Sequence, residues 1–273
     1  MRKLILFMLL ALSIAITGCG SNDKGKSEQA KQSTAAIKIG ATAIPHAEIL
    51  NFIKPELEKQ GVKMTVVEMA DYVRPNLAVA EKELDGNYFQ HIPYLEKFAA
   101  DHKLALASVA KVHIEPMGIY SRKVKALSEV KEGAIVSIPN DPTNGGRALM
   151  LLAQAGLIKL KDGAGINATV RDITENPKKL VIKELEAPQL PRSFDDVTLA
   201  VINTNYALDA KLTPAKDALF IESSDSPYVN ILVVRKGDEN RPEIQKLVKV
   251  LTSPEVKKFI DEKYKGAIVP AFK

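Results

Sequence analysis

The sequence lacks most of the features by which a chain declares a chemistry. It has one cysteine, no G-x-x-x-x-G-K-[ST] loop, no G-x-G-x-x-G fingerprint, no HExxH pair and no G-x-S-x-G elbow. One cysteine excludes an internal disulfide. Without glycine-rich phosphate loops, nucleotide binding has no local support, and no cofactor is expected. The four histidines have no metal-ligand spacing, and no serine sits in a nucleophile turn, so no metal site and no catalytic set are expected. Blocks of one charge sign are also missing. The net charge of +5 is spread along the chain, which argues against nucleic acid as a partner. The longest apolar run, Leu4 to Ile16, is shorter than the roughly twenty residues that span a bilayer. Aromatic residues make up only 5% of the chain, so a local concentration of them carries information.

The chain does have a marked beginning. Arg2 and Lys3, the apolar run and the small residues after it have the pattern of a secretory signal peptide over residues 1–18. Cys19 follows directly, and "ITGC" resembles a bacterial lipobox, whose cysteine is lipidated and becomes the mature N-terminus. The alternative for Cys19 is an incidental free thiol. With lipidation, the protein is exported and anchored to the cell membrane. Residues 19–36 hold Gly, Ser, Lys, Gln and Asn without large apolar groups, a composition that cannot offset its own ordering entropy and predicts a flexible tether. The globular part is expected from Ile37, with length enough for two medium domains.

Beyond Ile37, short β-type runs alternate with helical patterns. "PHAEILNFIKPELEKQG" puts Ala47, Leu50, Ile53 and Leu57 at helical spacing, and Pro55 is expected to kink or split that helix. Strand–helix alternation predicts an α/β architecture with mainly parallel sheets. Two extended runs with proline inside them, "KVHIEPMGIYS" and "SSDSPYVNILVV", suit crossovers between two lobes. The first lobe would comprise residues 37–115 and 228–273, the second residues 116–227, with a cleft between them.

Ligands of open α/β sheets bind beyond strand ends, at helix N-termini. Four stretches occupy that position. "DYVRPN" contributes Tyr72. "NYFQHIPYLEKF" gathers Tyr88, Phe89, Tyr94 and Phe98 around His91; Phe89 and His91 share a face if extended. "IPNDPTNGGRAL" supplies Asn144, two glycines whose N–H groups could meet an anion, and Arg147. A cation there opposes the helix dipole unless an anion joins it. "VINTNYAL" supplies Asn203. Each residue also has a structural reading: Tyr94 and Phe98 as a helix core stripe, His91 as a core histidine, Arg147 as a surface residue, the asparagines as caps.

Together, "DYVRPN", "NYFQHIPYL", "IPNDPTNGGRALMLLAQAGLIKLKDG", "VINTNYA" and "SPYVN" resemble the methionine-binding lipoproteins of bacterial ABC importers, in the same order along the chain. The resemblance implies a two-lobed periplasmic-binding-protein fold without catalysis. It implies capture of methionine, L or D, and delivery to a permease and ATPase complex. A methionine-containing dipeptide or another apolar amino acid is the near alternative. A surface interaction protein using the aromatic cluster as a protein contact is the distant one. Carried over by motif, Tyr72, Phe89, His91 and Tyr94 would surround the thioether and Arg147 would take the carboxylate, with Asn144 beside it. Asn203 and Asn230 would fix the amino and carboxylate groups; Asn230 rests on the resemblance alone.

Overall fold

Burial alternates along the first strand, where Ile37 and Ile39 point inward and Lys38 outward, and this pattern seeds the first of two main sheets. The computed structural model describes residues 35–223 and 225–272. The expected signal peptide, Cys19 and all but the end of the tether lie outside the described residues. The strand starts at Ala35, slightly ahead of the expected boundary at Ile37.

The chain runs through β1 (Ala35–Ala41), α1 (Glu48–Lys59), β2 (Val62–Glu68), α2 (Arg74–Ala80), β3 (Gly86–His91), α3 (Ile92–His102) and β4 (Leu106–Ile114). It then crosses to β5 (Gly118–Tyr120), β6 (Ile135–Pro139), α4 (Pro142–Gln154), β7 (Lys159–Leu160), β8 (Ile173–Glu175) and β9 (Val181–Leu185). β10 (Leu199–Ile202), α5 (Thr204–Asp209), α6 (Pro214–Asp217) and β11 (Ala218–Ile221) follow. It returns through β12 (Val229–Arg235), α7 (Pro242–Leu251), α8 (Pro254–Tyr264) and β13 (Val269–Pro270).

One sheet has the order β13-β4-β12-β3-β1-β2 and the other β11-β5-β10-β6-β9. Only one side of each sheet is parallel, β3-β1-β2 in the first and β10-β6-β9 in the second. β1 pairs parallel with β2 and β3, and β6 with β9 and β10, while β12, β4, β13, β5 and β11 pair antiparallel. The expectation of mainly parallel sheets is corrected accordingly. A parallel neighbour needs a helix-length crossover. The strands next to the crossovers are instead joined by segments outside any helix or strand, Glu115–Met117 and, among the described residues, 222–223 and 225–228, and enter in the opposite sense. Pro116 and Pro227 sit in those segments, outside any strand.

Each sheet has its own core. Ile49, Leu50, Ile53 and Leu57 of α1 pack with Leu247, Leu251, Val256 and Ile260 against the first sheet. Val136, Ile138, Leu149, Leu152 and Val201 fill the second. Of the expected kink or split at Pro55, the split does not occur, since α1 continues through it. Pro55 and Asn51 are both exposed, so water can satisfy the carbonyl that loses its helical donor.

Gly145 and Gly146 serve packing rather than the expected exposure of N–H groups to an anion. A Cβ on Gly146 would lie 2.0 Å from the Ile166 carbonyl oxygen, and one on Gly145 3.0 Å from that of Pro139. Gly146→Ala therefore forces α4 away from the 165–167 turn and should destabilise the fold by about 1–3 kcal/mol, the usual cost of overpacking. Urea denaturation checks this, and an unchanged midpoint would mean the turn yields without cost.

Candidate functional site

Strand ends and helix starts of the two sheets deliver the candidate residues to one place. Tyr72 lies in the turn after β2. Phe89 and His91 alternate along β3, which is buried on both faces. His91 caps α3, its Nδ1 accepting the Tyr94 N–H at 3.1 Å, and so places Tyr94 in the first turn. From the second sheet, Asp141 caps α4 and sets Asn144 and Arg147 on its first turns, while Asn203 precedes α5 at the end of β10. Asn230, on β12, is the register partner of His91 on β3 and of His113 on β4.

These elements line one small, partly open pocket of about 20 Å³. All eight candidate residues line it: Tyr72, Phe89, His91, Tyr94, Asn144, Arg147, Asn203 and Asn230. Gln90, Glu115, Thr204 and Asn205 line it as well and were not singled out in the sequence. Thr204 and Asn205 adjoin Asn203 at a helix start, which was a usable signal. Glu115, a lone carboxylate in an apolar crossover, was a weaker one.

Three rings form one wall. Tyr72 lies 5.9 Å from both Phe89 and Tyr94, and Phe89 and Tyr94 meet edge-on at 6.0 Å. Their hydroxyls are already engaged: Tyr94 donates to the Tyr72 carbonyl at 2.8 Å and Tyr72 to Asn205 Oδ1 at 2.6 Å. The wall therefore offers ring surface. Tyr94 also stacks on Phe98 at 5.6 Å, so its helix-core reading and its place in the cavity wall both hold.

Arg147 is buried, which overturns its surface reading, and its conflict with the helix dipole is answered within the chain. Its Nε donates to Glu222 Oε1 at 2.8 Å and its Nη2 to Glu222 Oε2 at 2.5 Å, a two-bonded pair. Nη2 also reaches the Glu115 carbonyl at 2.7 Å, and the guanidinium lies 4.1 Å from the centre of the Tyr228 ring. Nη1 has no partner among the described residues.

The asparagines are oriented by a chain of bonds. Asp141 accepts both the N–H and the side-chain NH2 of Asn144, whose Oδ1 then accepts from His91 Nε2 at 3.1 Å and Asn203 Nδ2 at 2.8 Å. With its Nδ1 accepting, His91 carries its proton on Nε2. Burial, and the Arg147 charge after it, push its pKa down to about 3. Asn203 Oδ1 is buried without a hydrogen-bond partner among the described residues. Such an oxygen is costly unless something else donates to it.

Behind Asn230, His46, His113 and Glu115 bring ligand-type atoms within 4.8 Å of one another, a grouping that sequence spacing did not reveal. The cluster is self-satisfied. Both rings face Glu115 Oε1, at 3.2 Å from His46 and 2.7 Å from His113, while Thr42 and Tyr88 hydroxyls meet their outer nitrogens. Hydrogen bonding inside the protein thus accounts for the donor set. Burial pushes His46 down to about 4 and His113 to about 3, and raises the Glu115 carboxyl.

A family model described as NlpA lipoprotein matches residues 37–272. The chain is 44% identical over 260 residues to the D-methionine-binding lipoprotein MetQ of Salmonella typhimurium, covering 94% of this chain and 93% of that one. It is 39% identical over 264 residues to the membrane lipoprotein TpN32 of Treponema pallidum, covering 96% and 95%. Among solved structures, a nutrient binding protein from Burkholderia cenocepacia bound to methionine aligns with a TM-score of 0.84 at 49% identity, over 86% of this chain and 100% of that one.

Three buried histidines held below their ordinary value of 6.5 have a consequence for stability. Below that value the unfolded chain binds protons that the folded chain refuses, so stability falls as pH drops toward the folded values. Glu115 and Asp141 act in the opposite sense, since burial raises their folded values and favours proton uptake by the native state, but two carboxyls oppose three rings. The urea midpoint should therefore decrease from about pH 7 to about pH 5. A midpoint constant across that window would show that the rings are not held neutral.

Proposed function

The chain belongs to the NlpA lipoprotein family, and we propose that it is a lipid-anchored solute-binding protein that captures methionine and hands it to an ABC importer. It is a binding protein and not an enzyme. One observation carries the ligand reading: a single pocket is lined by the rings of Tyr72, Phe89 and Tyr94 together with the Arg147 guanidinium and with Asn203, whose buried Oδ1 has no hydrogen-bond partner among the described residues.

The thioether lies against Tyr72, Phe89, His91 and Tyr94. Sulfur–ring contacts contribute about 0.3–1.5 kcal/mol each, and the walls exclude water from an unbranched side chain. Arg147 takes the carboxylate through Nη1, with Asn144 holding the surrounding framework in place. Asn203 Oδ1 accepts from the ammonium group, and Asn230 completes the recognition of the amino-acid backbone. The two lobes, residues 37–115 with 228–273 and residues 116–227, close on this guest about the crossovers. Cys19 carries the lipid that tethers the protein to the membrane beside its permease and ATPase.

Calorimetry with a panel of L- and D-methionine, methionine-containing dipeptides and apolar amino acids tests the assignment. Methionine should bind most tightly; preference for a dipeptide or another side chain would replace the ligand. Failure of every member would favour the surface-interaction alternative. Arg147→Ala should weaken methionine binding by about 2–5 kcal/mol, the range for truncating one partner of a buried charged contact. Tyr94→Ala should reduce affinity for methionine more than for alanine, and equal losses would speak against a thioether wall.

A further inference from the structure

The polar groups behind Asn230 determine which end of its amide a guest meets. We propose that His46, held by Thr42 and Glu115, is a positioning residue that turns the Asn230 side chain so that its NH2 group faces the ligand carboxylate. This rests on the methionine reading above and goes beyond it by giving the cavity a direction.

Proton bookkeeping leads to that orientation. His46 lies in the turn after β1 and is 1% exposed. Its Nε2 is 3.2 Å from Glu115 Oε1 and 3.2 Å from Asn230 Oδ1. Glu115 Oε1 also receives His113 Nε2 at 2.7 Å, and Oε2 receives the Asn205 N–H at 3.0 Å. As a carboxylate, Glu115 only accepts hydrogen bonds, and both rings facing it then carry their protons on Nε2. Their outer nitrogens must then accept, and each faces a hydroxyl able to donate: Thr42 Oγ1 at 2.7 Å from His46, and Tyr88 at His113. No member of the cluster is left unmatched in this arrangement.

A ring N–H directed at the Asn230 side chain selects its oxygen. The reversed amide would set NH2 against N–H, two donors with nothing to accept. Backbone pairing of Asn230 with His91 and His113 fixes the strand position from which the amide extends. Its NH2 group is therefore the end that lines the cavity. Asn203 is arranged the other way, with its NH2 given to Asn144 and its oxygen unpartnered. The cavity thus has an acceptor at Asn203 and donors at Asn230 and Arg147 Nη1, the pattern of a zwitterion with its ammonium toward Asn203 and its carboxylate toward Arg147.

Calorimetry above neutral pH with methionine and methioninamide, which keeps the thioether and loses the carboxylate, tests this. Asn230→Asp puts a carboxylate where the donor is, so methionine should weaken at least about tenfold more than methioninamide. His46→Leu, which releases the amide, should shift the ratio in the same direction. His46→Gln, whose own NH2 can replace Nε2–H, should keep the ratio close to that of the native protein. Equal weakening of both ligands in Asn230→Asp, or an unchanged ratio in a folded His46→Leu protein, would overturn the proposal. Were the native protein to bind neither ligand, the methionine reading itself would fail first.

Discussion

A buried guanidinium is tolerable only when its charge and its N–H groups are matched, and much of the site follows from how Arg147 is matched. Its partners come from both crossovers: the Glu222 carboxylate from the second and the Glu115 carbonyl from the first. One side chain at the start of α4 thereby ties together the two segments through which the sheets are connected. The Met117 N–H also donates to Glu222, so the same carboxylate braces the first crossover from the other side. Losing Glu222 would leave a buried cation with a single fixed partner, a much larger disturbance than losing a surface pair.

Around that anchor, most polar groups are already used, which makes the few remaining ones informative. The tyrosine hydroxyls go to protein acceptors, Gln90 goes to Asn76 and Asn87, and Asn144 is engaged at both ends of its amide. Among the described residues, what is left for a guest is ring surface, the Asn203 carbonyl oxygen and donors at Arg147 Nη1 and the Asn230 amide. Selectivity in such a site comes from matching a small number of unsatisfied groups, because a guest lacking a matching group leaves a desolvated polar atom behind.

The parts legible in the sequence were those governed by local rules. Phe89 and His91 could be put on one face from the period of a strand, Tyr94 on the first turn of a helix behind Pro93, and Asn203 at a strand end. The helical face of Ala47, Leu50, Ile53 and Leu57 is buried as its spacing requires. Distant pairing was not legible. Glu222 lies in a loop far along the chain from Arg147, and no periodicity links them. Asn230 sits inside a strand, where alternation says which residues share a face but not which face meets a cavity. Glu115 and its two histidines are scattered through the turn after β1, β4 and the first crossover, segments that only the folded chain brings together. Pro55 misled for the opposite reason: the local rule holds, but exposure removes its cost.

Side-chain hydrogen bonds run directly from the first sheet's segments to those of the second: Tyr72 to Asn205, Tyr206 to the Ala70 carbonyl, and His91 to Asn144. Any hinge motion that separates the two sheets has to break them, so its energy is set by these fasteners of the protein itself as well as by whatever lies between the sheets.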